Sequence, residues 1–379
     1  MKTLFVVNSI LNKPGNIGYR LGKVIDNHRG DFSILCRGGN SKSANKSISM
    51  GLFGHLPRIL NAIRIYLFPQ FKHRKYDKLI FEIFFIINIL RVLDRTRERK
   101  IAHIMEYSPL IIKILKKYNY HIILDVPIGP SSYMQSLVDI HGDDFSDIGA
   151  IYMDKFERKS FSLSDTILVP SLFVKKELMK SGVEEDKVKI IQFGVDIEKG
   201  CVKKDTNFGK PNLDYVFAGM LCKRKGLEYL LEAWSDRNFK YDKLHLCGRV
   251  TPEVRSLIAK KGLKNVVLPG FVDTSEYFKD CDVYVFPSLL EGSSKSIYEA
   301  MNSSLPVITT IESGSIVEDK VHGYIVPRCN VMYLREKMIK IKDVELRKQL
   351  SINAYQHVQK FTWNEYVNNV CEIYRKIEL

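Results

Sequence analysis

Two trains of short β-branched runs, each run closing on a glycine or polar turn before a helical stretch, constrain this chain more than any other feature. In the first half the runs are TLFVV, DFSILC, KIAHIM, HIILDV, TILVP and KVKIIQ; in the second they are LDYVFAG, KLHLCG, NVVLPG, DVYVFPS and LPVITT. Strands covered by helices on both faces read as near-continuous apolar runs and need helical crossovers. Each train therefore predicts a parallel, doubly wound α/β sheet. A chain of 379 residues exceeds what one hydrophobic core usually supports, which agrees with two such sheets. Between the trains lies GVDIEKGCVKKDTNFGKPN, residues 194–212, poor in apolar periodicity and read as the linker. The expected organisation is a first Rossmann-like domain over 1–195, a second over 196–360, and a final helix over 361–379 that returns to the first domain. In that last segment Trp363, Tyr366, Val370, Ile373 and Tyr374 recur at three- and four-residue steps, the spacing of one buried helical face. Ligands of open α/β sheets sit beyond the carboxyl ends of the strands, so two facing sheets predict a cleft.

Charge narrows the partners. The net charge is +15, and residues 1–100 hold most of it, with 19 Lys/Arg against 6 Asp/Glu. In HLPRILNAIRIYLFPQFKHRKYDK the basic residues Arg58, Arg64, Lys72, Arg74 and Lys75 interleave with aliphatic ones, which suits an anionic membrane surface. No helix-turn-helix, zinc-finger or RNP-like pattern stands in the chain, so nucleic acid is not expected as a partner. The apolar run IFEIFFIINILRVL is interrupted by Glu82 and Asn88 and falls short of a span. Seven scattered cysteines form no C-x-x-C pair and no Cys/His cluster, which predicts a reducing, cytoplasmic setting, on the inner face of the membrane if the basic segment docks there.

The chemistry-bearing segment is PSLLEGSSKSIYEAM, residues 287–301. A strand runs into a loop carrying Glu291, and a helix then carries Glu299. Each carboxylate can accept two hydroxyl protons, as vicinal diols of a ribose or a hexose require. Between them Gly292, Ser293, Ser294, Lys295 and Ser296 offer backbone N–H groups at a helix N-terminus, an environment that favours a diphosphate. Upstream, FAGMLCKRKGLEYLLEAW (217–234) reads as strand, basic loop and helix, with Gly219, Arg224 and Lys225 in the loop.

Together these segments resemble the retaining family-4 glycosyltransferases of the GT-B fold (glycosyl transferases group 1). That family shows G-R-L-x-x-x-K-G, a later strand leading to P-S, and then E-G-F-G-L-P-x-x-E-A. Gly219, Leu221, Lys225, Gly226, Pro287, Ser288, Glu291, Gly292, Glu299 and Ala300 match in order and spacing. The resemblance implies that Lys225 meets the donor phosphates, Glu291 the transferred sugar and Glu299 the ribose hydroxyls. Met220 stands where the family has arginine, and Ser293, Ser294 and Lys295 replace Phe-Gly-Leu. Arg224 or Lys295 is therefore the expected second cation at the diphosphate.

In the first half, ERKSFSLSDTILVPSLFVKKEL and KIIQFGVDIE resemble the corresponding parts of such enzymes. Gly15 and Gly18, after the first strand, are expected to let the backbone approach the donor phosphates or the acceptor. Asp125, in HIILDVPIGPSS near the place of a family histidine, is the candidate acceptor-side carboxylate; Glu106 is an alternative, and His103 reads as core. The implied activity is sugar transfer with retention from a nucleotide-sugar, a UDP-sugar ahead of a GDP-sugar, to a glycan or lipid-linked acceptor of envelope polysaccharide or glycolipid assembly. No cofactor and no metal are expected, since no D-x-D motif stands in the relevant loops. A non-catalytic nucleotide- or glycan-binding scaffold of the same fold is the alternative.

Overall fold

The computed structural model describes residues 2–13, 17–28, 30–39, 41, 44–56, 59, 75–96, 98–142, 150–203 and 208–378. The chain forms two compact units. One comprises Met1–Val169, Lys175–Ile191 and Val367–Leu379; the other comprises Pro170–Val174 and Gln192–Tyr366.

Among the described residues the first unit is built on seven parallel strands in the order β3-β2-β1-β4-β5-β6-β7. They are β1 (Thr3–Ile10), β2 (Phe32–Gly38), β3 (Lys46–Ser49), β4 (Lys100–Ile104), β5 (Tyr120–Asp125), β6 (Thr166–Val169) and β7 (Val188–Ile190). The order reverses direction between β1 and β4, where Phe5 pairs with His103. β4 is buried along its whole length, so its side chains must be apolar or paired. The helix Pro109–Lys117 starts where Ser108 Oγ accepts from Ile111 N at 3.3 Å, with proline at the first helical position, where no amide hydrogen is needed.

The second unit carries six parallel strands in the order β10-β9-β8-β11-β12-β13: β8 (Asp214–Ala218), β9 (Lys243–Cys247), β10 (Val266–Gly270), β11 (Val283–Phe286), β12 (Val307–Thr309) and β13 (Gly323–Ile325). Its reversal lies between β8 and β11. Trp234 stacks on Phe239 at 4.8 Å and meets Tyr215 edge-on, closing one side of the core beneath β8. Asp282 lies just before β11, where its Oδ2 accepts from Asp214 N at 2.9 Å and Lys203 lies 3.5 Å from Oδ1; this acid holds strand ends together.

Every run singled out in the sequence is a strand. Two strands carried no such signal: β3 is KSIS, a short polar edge strand, and β13 is GYI, only three residues opened by glycine. Within the final helix, Trp363–Glu378, residues Trp363, Tyr366, Val370 and Tyr374 are buried and Ile373 is half-buried.

Candidate functional site

The sequence-selected residues of the second unit gather at the carboxyl ends of β8 and β11, on either side of the reversal in strand order. After β8 the chain turns through Gly219 into a single 3-10 turn, Lys223–Lys225. Gly226 ends that turn with φ +76°, and a Cβ there would lie 2.0 Å from the carbonyl oxygen of Pro287. Only glycine satisfies both demands. The close approach lets the two loops bond to one another: Leu289 N donates to Arg224 O at 2.8 Å, and Arg224 Nη1 donates to Leu290 O at 2.6 Å.

Glu291 is the focus of this junction. Arg224 Nη1 reaches its Oε1 at 2.6 Å, and Lys225 Nζ pairs with the same oxygen. Lys225 also sits over the Phe286 ring, 5.1 Å from its centroid. Burial holds its ammonium pKa below the usual lysine value, in spite of the pull of Glu291. The loop beyond is braced from behind. Glu291 N donates to Glu312 O at 2.8 Å, Ser294 N to Ser313 O at 3.2 Å, and Ser171 Oγ to Gly292 O at 2.6 Å. Of the run from Gly292 to Ser296, expected from the sequence to present open N–H donors, the Ser294 N–H is already engaged.

Glu299 lies one turn into the helix Lys295–Asn302. Both of its oxygens have partners: Lys295 Nζ at 3.0 Å from Oε1, and Thr274 Oγ1, which donates to Oε2 at 2.9 Å. Lys295 thus stands beside the acid at i,i+4. Thr274 follows Asp273, whose carboxylate caps the next short helix through Ser275 N at 3.0 Å. Nothing local in the sequence marks Thr274, because its tie to Glu299 depends on packing between elements. A cavity of about 150 Å³ opens beside the pair, lined among others by Lys199, Thr274, Lys295, Glu299 and Asn302. Met220 is exposed after β8.

The remaining candidates lie in the first unit. Gly15 falls outside the described residues. Gly18 is buried in the helix Ile17–Asp26, and its carbonyl accepts from Asn12 N at 3.2 Å. Asp125 closes β5 and is buried; Arg20 Nη2, from the same helix as Gly18, donates to it at 3.0 Å, and His103 Nε2 is 3.7 Å from its other oxygen. Burial opposes ionisation, but the Arg20 and His103 interactions outweigh it and keep the carboxyl below the usual aspartate range. His103 is fully buried, with Nδ1 2.6 Å from Tyr374 Oη. Of the basic segment, Arg58, Arg64, Lys72 and Arg74 lie outside the described residues, and Lys75 only opens the helix Lys75–Val92.

Among the described residues one group has metal-ligating composition, Glu318, His322 and His357. His322 Nδ1 accepts the Glu318 N–H at 3.1 Å, so in the neutral ring Nε2 carries the proton and has no lone pair for a metal. The two imidazoles stack, with centroids 4.2 Å apart and planes 28° apart.

Two parallel Rossmann-like units, with basic loops and paired glutamates at the switch point of the second, define the GT-B class. Residues 19–199 match the family model Glycosyltransferase Family 4, and residues 212–343 match Glycosyl transferases group 1, so both halves of this chain are those of a glycosyltransferase. An uncharacterized glycosyltransferase of Methanocaldococcus jannaschii is 28% identical over 251 residues, 64% of this chain and 68% of that protein. The capsular polysaccharide biosynthesis glycosyltransferase CapM of Staphylococcus aureus is 26% identical over 54% of this chain and 60% of its own length. In fold, the chain is similar to Anabaena HepE, solved with UDP and glucose, at a TM-score of 0.67 over 99% of this chain and 100% of that one, with 15% identity.

Proposed function

We propose that this protein transfers a sugar from a nucleoside diphosphate donor, a UDP-sugar ahead of a GDP-sugar, to a glycan or lipid-linked acceptor, with retention of anomeric configuration. The observation that carries the reading is the convergence of Arg224 and Lys225 on Glu291 at the strand ends where such sheets bind nucleotides. In this reading the donor diphosphate takes the place of Glu291 as partner of the two cations. Charge that develops on the departing phosphate then meets preorganised donors, with N–H groups at the start of the helix Lys295–Asn302 adding to them. The cations do the work a divalent metal does elsewhere, and the reaction is expected to withstand EDTA. Glu291, released from its ion pairs, accepts hydroxyl protons of the sugar, and Glu299 accepts those of the ribose. In the second unit Gly219, Gly292, Ser293 and Lys295 complete the donor contacts, and in the first unit Asp125 is assigned to the acceptor.

Retention rests on the motif resemblance, the UDP preference on likeness to a fold solved with UDP, and the envelope-polysaccharide setting on CapM. The basic first hundred residues support a peripheral position on an anionic membrane face. Non-catalytic binding is the second reading, favoured by the exposed Met220 in place of a phosphate-binding arginine.

A thermal-shift panel of UDP, GDP, ADP and CMP with their sugar conjugates, on wild type and Glu299→Ala, tests the donor site. Stabilisation by one nucleotide series, lost in the variant, is the expected result. Binding without turnover of the matching nucleotide-sugar would select the scaffold reading; no stabilisation by any nucleotide would remove the donor site.

A further inference from the structure

Helix Lys75–Val92 is apolar on more than one side. Its inward stripe, Phe81, Phe85, Ile89 and Val92, is buried against the first unit. The opposite stripe is aliphatic too: Ile83, Ile86, Ile87 and Leu90 recur at steps of three, one and three and are 48%, 44%, 69% and 60% exposed. Four large aliphatic side chains at helical spacing form a contiguous patch, unlike the scattered apolar residues every surface carries. The next helix, Pro109–Lys117, packs against this one, with Ser108 Oγ donating to Glu82 Oε1, and it adds Leu110 at 44% exposure.

Charge says what covers this patch. From Ile80 to Val92 and from Pro109 to Lys117 the exposed charged residues are Arg91, Lys113, Lys116 and Lys117, all basic. Glu82 is the one acid among these residues, and Ser108 engages it. An apolar stripe whose exposed charged neighbours in these stretches are all basic has the chemistry of a helix lying in the headgroup region of an anionic bilayer: the aliphatic groups enter the acyl boundary while lysine and arginine stay with the phosphates. No helix among the described residues is long and apolar enough to cross a membrane, so the mode open to this helix is to lie on the surface.

We infer that this protein docks on anionic lipid bilayers through Ile83, Ile86, Ile87 and Leu90, with Arg91, Lys113 and Lys117 on the headgroups. The inference deepens the peripheral placement proposed above and is independent of donor binding, which the nucleotide panel reads separately.

The test is co-sedimentation with phosphatidylcholine vesicles, with and without phosphatidylglycerol, at low and high salt. Wild type is expected to partition onto the anionic vesicles and to release in salt. Ile87→Asp/Leu90→Asp is expected to lose at least about tenfold in partitioning, through lost apolar burial and added negative charge. Lys113→Glu/Lys117→Glu is expected to lose the preference for the anionic vesicles. Each variant is checked for an unchanged melting transition and nucleotide-induced shift. Failure of wild type to bind anionic vesicles, or undiminished binding by Ile87→Asp/Leu90→Asp, overturns the inference. So does a wild-type dimer that this variant converts to a monomer, which would make a second copy the occupant of the patch.

Discussion

Arg224 Nη1 donates 2.6 Å hydrogen bonds both to the backbone carbonyl of Leu290 and to Oε1 of Glu291, so one guanidinium fixes the loop and its acid together. Lys225 meets the same carboxylate oxygen from the neighbouring position. Two cations on one oxygen leave a net positive site that a diphosphate can occupy.

Glu291→Gln keeps the shape and removes the charge that competes with the donor. Nucleotide affinity is expected to hold or rise, while kcat falls about 10²- to 10³-fold, the scale of losing one positioned polar group at a reacting centre. Lys225→Ala is expected to act oppositely, weakening nucleotide binding about tenfold or more. Calorimetric titration with nucleotide and initial rates on the same preparations separate the two effects.

Glu299 depends on Thr274 for the orientation of one oxygen. Thr274→Val is expected to weaken nucleotide binding about three- to tenfold, the net worth of one ordinary hydrogen bond, and Thr274→Ser to restore it. Equal affinities in the three proteins would show that Lys295 alone orients the acid.

Gly226→Ala asks for a side chain in a left-handed conformation and 2.0 Å from Pro287 O. A loss of at least about 1–3 kcal/mol is expected from the backbone alone, with displacement of the Arg224 loop. Chemical denaturation measures the first, and loss of nucleotide stabilisation reports the second.

His322 gives the second unit an acid-sensitive point. Burial, reinforced by the neighbouring His357, lowers its pKa to about 4, against the weaker opposing pull of Glu318. A histidine whose folded-state pKa is depressed stabilises the fold fully above its unfolded value of about 6.5, and that contribution drains away as pH falls toward 4. His322→Gln is expected to flatten the stability curve between those limits. Denaturation midpoints measured from pH 7 to pH 4 check the slope.

How much of this was legible beforehand varies by element. β8 and β11 announced themselves as LDYVFAG and DVYVFPS because both are central strands, covered on two faces and therefore uniformly apolar. β3 and β13 were not legible: KSIS is a polar edge strand with no buried residue, and GYI, although Gly323 and Tyr324 are buried, is too short and opens on a glycine, so neither writes a β-branched run. The pairing of Lys225 with Glu291 had a motif behind it. The Thr274 tie to Glu299 and the engaged Ser294 N–H had none, since each joins residues from different elements whose approach is settled only by packing.

By itself the sequence determined the two parallel sheets and the placing of acids and basic loops after particular strands, because burial on both faces and helical crossover leave a local signature. Which oxygen each cation holds, which N–H groups are already engaged, that Asp125 lies buried between Arg20 and His103, and that one helix keeps an aliphatic stripe outside the core were decided only by tertiary structure. Those outcomes depend on distances between side chains far apart in the chain, and such distances exist only once the elements have packed.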